Sequence, residues 1–221
     1  VTIVADAILL LGSLLIHLPT RADEPAPSPE ALPSWLEVLR VCCHMEEVAI
    51  SITGVQVFVK LLTKPNSGLN ATAQQYIAGK TSYVEEAVQI LWKILHHSHS
   101  AHHYCAAETL ECLLRLTGPR VTDTIAAFLV AADPLARVEA CRRFGILWRL
   151  TTDMSAHNHL AANTFLMLDA LTDEQPMVRL AGRSWLGDSV QKLDRLLDPL
   201  LEELLAPTVV RERFGYRQVY D

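Results

Sequence analysis

Motifs that carry chemistry are what this sequence lacks first. No G-x-S-x-G, G-x-x-x-x-G-K-S/T, H-E-x-x-H or G-x-G-x-x-G occurs among its 221 residues, so neither a nucleophile elbow nor a phosphate cradle has a basis in the text. Nine glycines are few for a phosphate-binding enzyme. A basic excess is also missing. The formal net charge is −6, whereas nucleic-acid and polybasic membrane-binding modules need clustered Lys and Arg to displace counterions. No Cys-x-x-Cys pair is present: Cys42, Cys43, Cys105, Cys112 and Cys141 are odd in number and lie in apolar helical text. They read as buried, reduced thiols. No uncharged run reaches the roughly 20 residues that cross a bilayer. The most apolar stretch, Ile3 to Leu18, contains Asp6 and His17 and reads as a buried helix. The first residue is Val1 rather than Met, which leads one to expect a segment of a longer chain.

What is present is helix. Half the residues are hydrophobic and a fifth are charged, a globular balance rather than a disordered one. Pro134-x-x-Arg137-Val138 and Pro176-x-x-Arg179-Leu180 lie 42 positions apart, within the window of about 40–47 residues that HEAT and armadillo repeats occupy. Proline suits the first helical position because its missing N–H would have no partner there. Asp133 is placed to cap the first of these helices, and Asp173 and Glu174 supply acid ahead of the second. On the first helix Ala140, Cys141, Phe144, Leu147 and Trp148 share one side, with Ile146 and Leu150 on another. A helix apolar on more than one side touches two neighbours, as in a solenoid. The expected fold is therefore all-α, an armadillo/HEAT-like helical-repeat solenoid segment.

The chain divides on the same signals. Residues 1–19 read as the N-terminal helix of a preceding repeat, and 20–33, with four prolines among charges, as a linker. Residues 34–206 read as the helical-repeat segment and 207–221 as a polar tail cut in mid-repeat. Helices are expected from Ser34, over Val48–Leu62, from Ser82 to near His97, and from about His102 to Leu116. Gly118-Pro119 should close the last through a left-handed glycine cap, with a short helix from Val121 to Ala131 after it. Val48–Leu62 is rich enough in β-branched residues to allow a strand, but Ile52, Val55, Val59 and Leu62 form a helical stripe. Lys64–Asn70 reads as a loop, and Pro199 as the restart of a helix capped by Asp198. The expected core includes Trp92, Phe144, Leu147, Trp148, Phe165, Leu168, Trp185, Leu196, Leu197 and Leu200.

Two clusters are candidate sites. His96, His97, His99, His102 and His103 place imidazoles close enough to converge on a metal, though the spacing matches no recognised zinc motif and a solvated inter-helix turn explains it as well. Arg137, Arg142, Arg143 and Arg149 could form an anionic-lipid or phosphate patch, but Glu139 and Asp133 among them suit helix-surface ion pairs. No cofactor is expected and no catalytic residue is assigned.

The blocks Arg143-Phe144-Gly145-Ile146-Leu147-Trp148-Arg149-Leu150-Thr151, Phe165-Leu166-Met167-Leu168-Asp169-Ala170-Leu171-Thr172, Ser184-Trp185-Leu186 and Leu193-Asp194-Arg195-Leu196-Leu197-Asp198-Pro199-Leu200-Leu201 follow one another as they do in the Dopey family, which this chain resembles. Weaker matches are Leu32-Pro33-Ser34-Trp35-Leu36 with Val48-Ala49-Ile50-Ser51, and Tyr76-Ile77-Ala78-Gly79-Lys80-Thr81 leading to Leu91-Trp92. The chain departs from the family at Trp148-Arg149-Leu150 and at Glu202-Glu203 with Pro207, as a divergent member would. The resemblance implies a non-enzymatic scaffold on the cytosolic face of Golgi, trans-Golgi and endosomal membranes, acting in traffic between them. It implies as partners a large Sec7-related trafficking protein and, in some members, a phospholipid flippase or kinesin light chain, with no nucleic acid. The competing readings are an unrelated HEAT-repeat adaptor and a metal-dependent enzyme built on the histidines.

Overall fold

Apolar residues spaced for helices, with no run of hairpin turns between them, give helices throughout. The computed structural model describes residues 2–17, 34–63, 82–151, 154–190, 196–198 and 201, and among these there is no β-strand. The fold is an all-α repeat arrangement. The linker 20–33, the loop 64–70, Pro199, Leu200 and the tail 207–221 lie outside the described residues. Two units are distinguished, Val1–Leu116 and Thr117–Asp221.

In the first unit α1 (Thr2–His17), α2 (Ser34–Cys43) and α4 (Ser82–Ile94) all pack on α3 (Val48–Thr63). This explains the strand-like composition of α3. A helix surrounded by neighbours buries side chains all round, so its periodicity is weak: Ile50, Ile52, Val55, Val57, Phe58, Val59, Leu61 and Leu62 are all buried. Ile8 of α1 and Leu39 of α2 close the core over Ile50, Val57 and Leu61. The helix α1 thus lies against α3. Close crossings are made at glycine: a β-carbon on Gly12 would stand 2.7 Å from Val57 Cγ1, and one on Gly54 would stand 3.1 Å from the Cys43 backbone nitrogen. The Ser51 hydroxyl donates to the Cys43 carbonyl at 2.6 Å, satisfying an acceptor that the end of α2 would otherwise leave open.

After α4 the inter-helix turn is a 3₁₀ helix, His97–His102, leading into α5 (His103–Leu129). Ala106, Leu110, Leu113 and Leu114 are buried, as their spacing requires. The helix breaks at Thr117 (φ −142°, ψ 42°), where the two units divide.

The second unit takes up the rest of α5, then α6 (Pro134–Leu150), α7 (Met154–His159), α8 (Ala161–Asp169), a 3₁₀ turn Ala170–Thr172 and α9 (Pro176–Ser189). The glycine cap expected at Gly118 is not formed. The break precedes it, Pro119 sits in the first turn of the resumed helix, and Gly118 is needed for proximity: a β-carbon there would lie 2.7 Å from His159 Nδ1. Asp133 caps α6 as its position demands, accepting from the amides of Leu135 at 3.3 Å and Ala136 at 3.0 Å.

Helices α6 and α9 pack together. Their seam is aromatic, with ring centroids 6.1 Å apart for Phe144 and Trp185 and 5.9 Å for Trp148 and Trp185, both edge-on. Edge-to-face geometry sets the positive rim of one ring against the negative face of the next. Trp92, Phe144, Leu147, Trp148, Trp185 and Leu196 are buried as expected. Phe165 and Leu168 are only half-buried, because α8 turns Asn163, Thr164 and Met167 inward. Leu197 is 41 % exposed, since neighbouring positions on a helix point about 100° apart and Leu196 holds the inward direction.

Candidate interaction site

Each proline-opened helix carries its arginine three residues on, one turn along, so the side chain can fold back over the helix start. Arg137 does so: Nη1 donates to the carbonyls of Ala131 at 2.9 Å and Ala132 at 3.1 Å. Arg179 repeats the bond pattern, Nη1 reaching the carbonyls of Asp173 at 2.7 Å and Glu174 at 2.9 Å. The Pro-x-x-Arg spacing is therefore a device that ties each helix to the turn preceding it.

Arg137 has a second task. Its Nε donates to Asp173 Oδ2 and its Nη2 to Asp173 Oδ1, both at 3.0 Å, a bidentate pair across 36 positions of sequence that joins one repeat to the next. Both side chains are less than a fifth exposed, so the pair is better shielded than an ordinary surface bridge. Asp173 also accepts from the Gln175 amide at 2.8 Å. Partial burial pushes its carboxyl pKa up. The Gln175 amide, the Arg137 hydrogen bond and the charges of Arg137 and Arg179 outweigh that and hold it below the usual carboxylate value.

Beside this pair opens a cleft of about 500 Å³, lined by Leu129, Val130, Arg137, Asp169, Asp173 and Glu174 among others. Its polar lining is made of carboxylates, the Thr172 hydroxyl and the Arg137 guanidinium, with no histidine, cysteine or lysine. What the arrangement offers is shape and charge.

The other arginines have separate surroundings. Arg143 Nε donates to Glu139 Oε1 at 3.0 Å and Arg142 Nη1 lies 3.9 Å from Glu139 Oε2, while Arg149 is exposed. Arg137, Arg142 and Arg143 thus all stand against carboxylates.

The histidines gather at the 3₁₀ turn, and two ring nitrogens are used by the turn itself. His96 Nδ1 accepts from the Ser98 amide at 3.3 Å and lies 2.8 Å from the Ser98 hydroxyl, and His103 Nε2 donates to the His96 carbonyl at 2.9 Å. The His96 and His97 rings tilt against each other with centroids 4.0 Å apart, while His99 and His102 are half-buried.

All five cysteines are free. Burial pushes the Cys43 thiol up to about 12 and Cys141 up to about 11, values at which neither is a nucleophile at neutral pH. Among the described residues no helix is long and apolar enough to cross a membrane.

One residue that spacing alone did not single out is Asn163. It is fully buried and donates to the Thr122 carbonyl at 3.0 Å, tying α8 to α5. Its only signal was an amide inside an apolar helical run.

Compared with known proteins, residues 33–196 match a family described as DOP1B-like, TPR repeats. The chain is 30 % identical over 234 aligned positions to Protein DOP1B of Mus musculus, covering 87 % of this chain and 10 % of that protein. It is 27 % identical over 167 positions to Protein DOP1B of Xenopus laevis, covering 71 % and 7 %. The chain thus spans about a tenth of the length of these relatives. A crystal structure of an engineered protein aligns over 88 % of this chain and 90 % of its own at 16 % identity, with a TM-score of 0.30, too distant a likeness to bear on the fold.

Proposed function

Because the chain belongs to the family of DOP1B-like, TPR-repeat proteins, we propose that it is a non-enzymatic helical scaffold of membrane traffic between endosomes and the Golgi. The observation that carries this reading is the family match along residues 33–196, which covers nearly all of the described helices. A stack of helices whose charged and apolar side chains face outward acts by presenting surface to other proteins. The partners would be a large Sec7-related trafficking protein, with a flippase or kinesin light chain in some assemblies. Contact with the bilayer would be peripheral, on the cytosolic face of Golgi, trans-Golgi and endosomal membranes.

The reading is tested in cells. The tagged protein should co-distribute with Golgi and endosomal markers, and its depletion should slow the return of a recycling cargo from endosomes to the Golgi. Uniform distribution together with unaltered cargo return would overturn it. Proximity labelling that recovers no Golgi or endosomal coat and tether proteins would point to a repeat adaptor of another compartment.

A further inference from the structure

The cleft beside the Arg137–Asp173 pair is built from helix ends and turns rather than from helix faces. Two helices finish at it, α5 at Leu129 and α8 at Asp169. The C-terminal end of a helix carries partial negative charge, so both ends favour a cation. The lining adds three carboxylates, Asp169, Asp173 and Glu174, against the one guanidinium of Arg137. The chain's own use of the place has the same sign: Arg137 is held there by the carbonyls of Ala131 and Ala132 as well as by Asp173.

The rest of the lining is largely apolar. Leu129 and Val178 are buried, whereas Val130 is 61 % exposed. A volume of about 500 Å³ falls within the range of roughly 300–1,000 Å³ that ligand sites occupy, with room for a basic side chain and an apolar neighbour. A bare metal cation would leave Leu129 and Val130 uncovered, and a wholly apolar occupant would desolvate the carboxylates without pairing them. Helix stacking does not fill the cleft. Arg137 and Val178 stand in the first turns of α6 and α9, while the aromatic seam at Phe144, Trp148 and Trp185 lies further along both helices.

We propose that this cleft docks a short basic and apolar segment of a partner protein, in which Lys or Arg lies within two positions of Leu, Ile, Val or Phe. The basic side chain meets Asp169, Glu174 and the two helix ends, and the apolar one covers Leu129 and Val130. That the partner is a protein rests on the scaffold reading; the charge and shape of its segment follow from the cleft alone.

A phage-displayed library of random twelve-residue peptides, selected on the 221-residue chain, reads the chemistry of the occupant directly. Enriched sequences should pair Lys or Arg with a large apolar residue within two positions. The leading sequence, made as a free peptide, should bind saturably below about 1 mM and shift the methyl resonances of Leu129 and Val130. Glu174 and Val130 are both exposed, so each can be changed with circular dichroism unaltered. Glu174→Lys should weaken binding at least tenfold, and Val130→Ser, which leaves the charge alone, at least threefold. Enrichment of acidic or uncharged sequences, no enrichment at all, methyl shifts confined to other residues, or affinity indifferent to both substitutions would overturn the docking cleft. Each of these outcomes leaves the distribution between Golgi and endosomes to be read separately, so failure of the cleft and failure of the trafficking reading are told apart.

Discussion

Trp148 is a residue whose worth follows from its surroundings rather than its identity. It is 2 % exposed and has Phe144 and Trp185 against it, so truncation leaves a cavity as well as losing transfer energy. Trp148→Ala should destabilise the chain by about 3–5 kcal/mol, read as a fall in the urea midpoint with the slope kept. A loss under about 1 kcal/mol would show that the site collapses or was never closed. Asp173 makes a second prediction. Its pKa is lowered by folding despite the opposing effect of burial, so its contribution to stability is present above the unfolded value of about 3.9 and is lost as pH falls through the lower folded value. Stability measured from pH 6 down to pH 2.5 should therefore drop below about pH 4, and Asp173→Asn should flatten part of that drop while lowering stability at pH 7. An Asn variant with the parent's full acid slope would remove Asp173 as its source. Much at this scale was legible in the text. The cap at Asp133 and the burial of Trp92, Trp148 and Trp185 follow from local chemistry, whereas of the five cysteines expected to be buried only Cys141 is, the other four being half-buried. The fate of Phe165, Leu168 and Leu197 does not, because a leucine-rich helix offers several apolar directions and only the neighbour's position chooses among them.

At the scale of elements the informative residues are glycines inside helices. Gly54 lies where α2 crosses α3, and a β-carbon would meet the Cys43 nitrogen, the Cys42 β-carbon and the Cys43 sulfur at 3.1–3.2 Å. Gly187 has open space. Replacing glycine by alanine in a helix gains roughly 0.5–1 kcal/mol of backbone entropy, so the same substitution should act in opposite directions. Gly187→Ala should raise the thermal midpoint, and Gly54→Ala should lower it because the backbone of α2 has to retreat. Equal effects from the two would mean that the α2–α3 crossing gives way freely. The helix at Val48–Thr63 shows the same dependence on context. Its β-branched composition favours extended chain in isolation, and its burial on all sides by α1, α2 and α4 makes it a central helix. The break in α5 falls at Thr117 rather than at a glycine cap, since Gly118 is required for the approach of His159.

For the whole molecule, charge and repetition set the behaviour. With a net charge of −6 and with Arg137 and Arg143 held by carboxylates, the chain should not retard DNA or RNA at about 0.15 M salt, where binding requires many phosphate contacts. A gel shift that weakens steeply with added salt would contradict this. The repeat spacing of 42 residues is longer than the 34 typical of TPR units, although the family is described by that name. Both are helix pairs that stack on their neighbours, which is why a period alone sets the class of architecture without setting its name.

The sequence by itself determined that this protein is helical, that it repeats and where two of its helices begin, because periodicity, capping and proline chemistry act over a few residues; its family was legible only as a resemblance of residue blocks. Tertiary structure decided what those signals are for. Only the packing of α6 on α9 turns the arginine of a Pro-x-x-Arg motif into a clamp on an aspartate 36 residues away. The physical reason is one of range: helix formation is settled by neighbours along the chain, whereas the partner of a guanidinium fork or of an apolar face is settled by whatever folding brings opposite it.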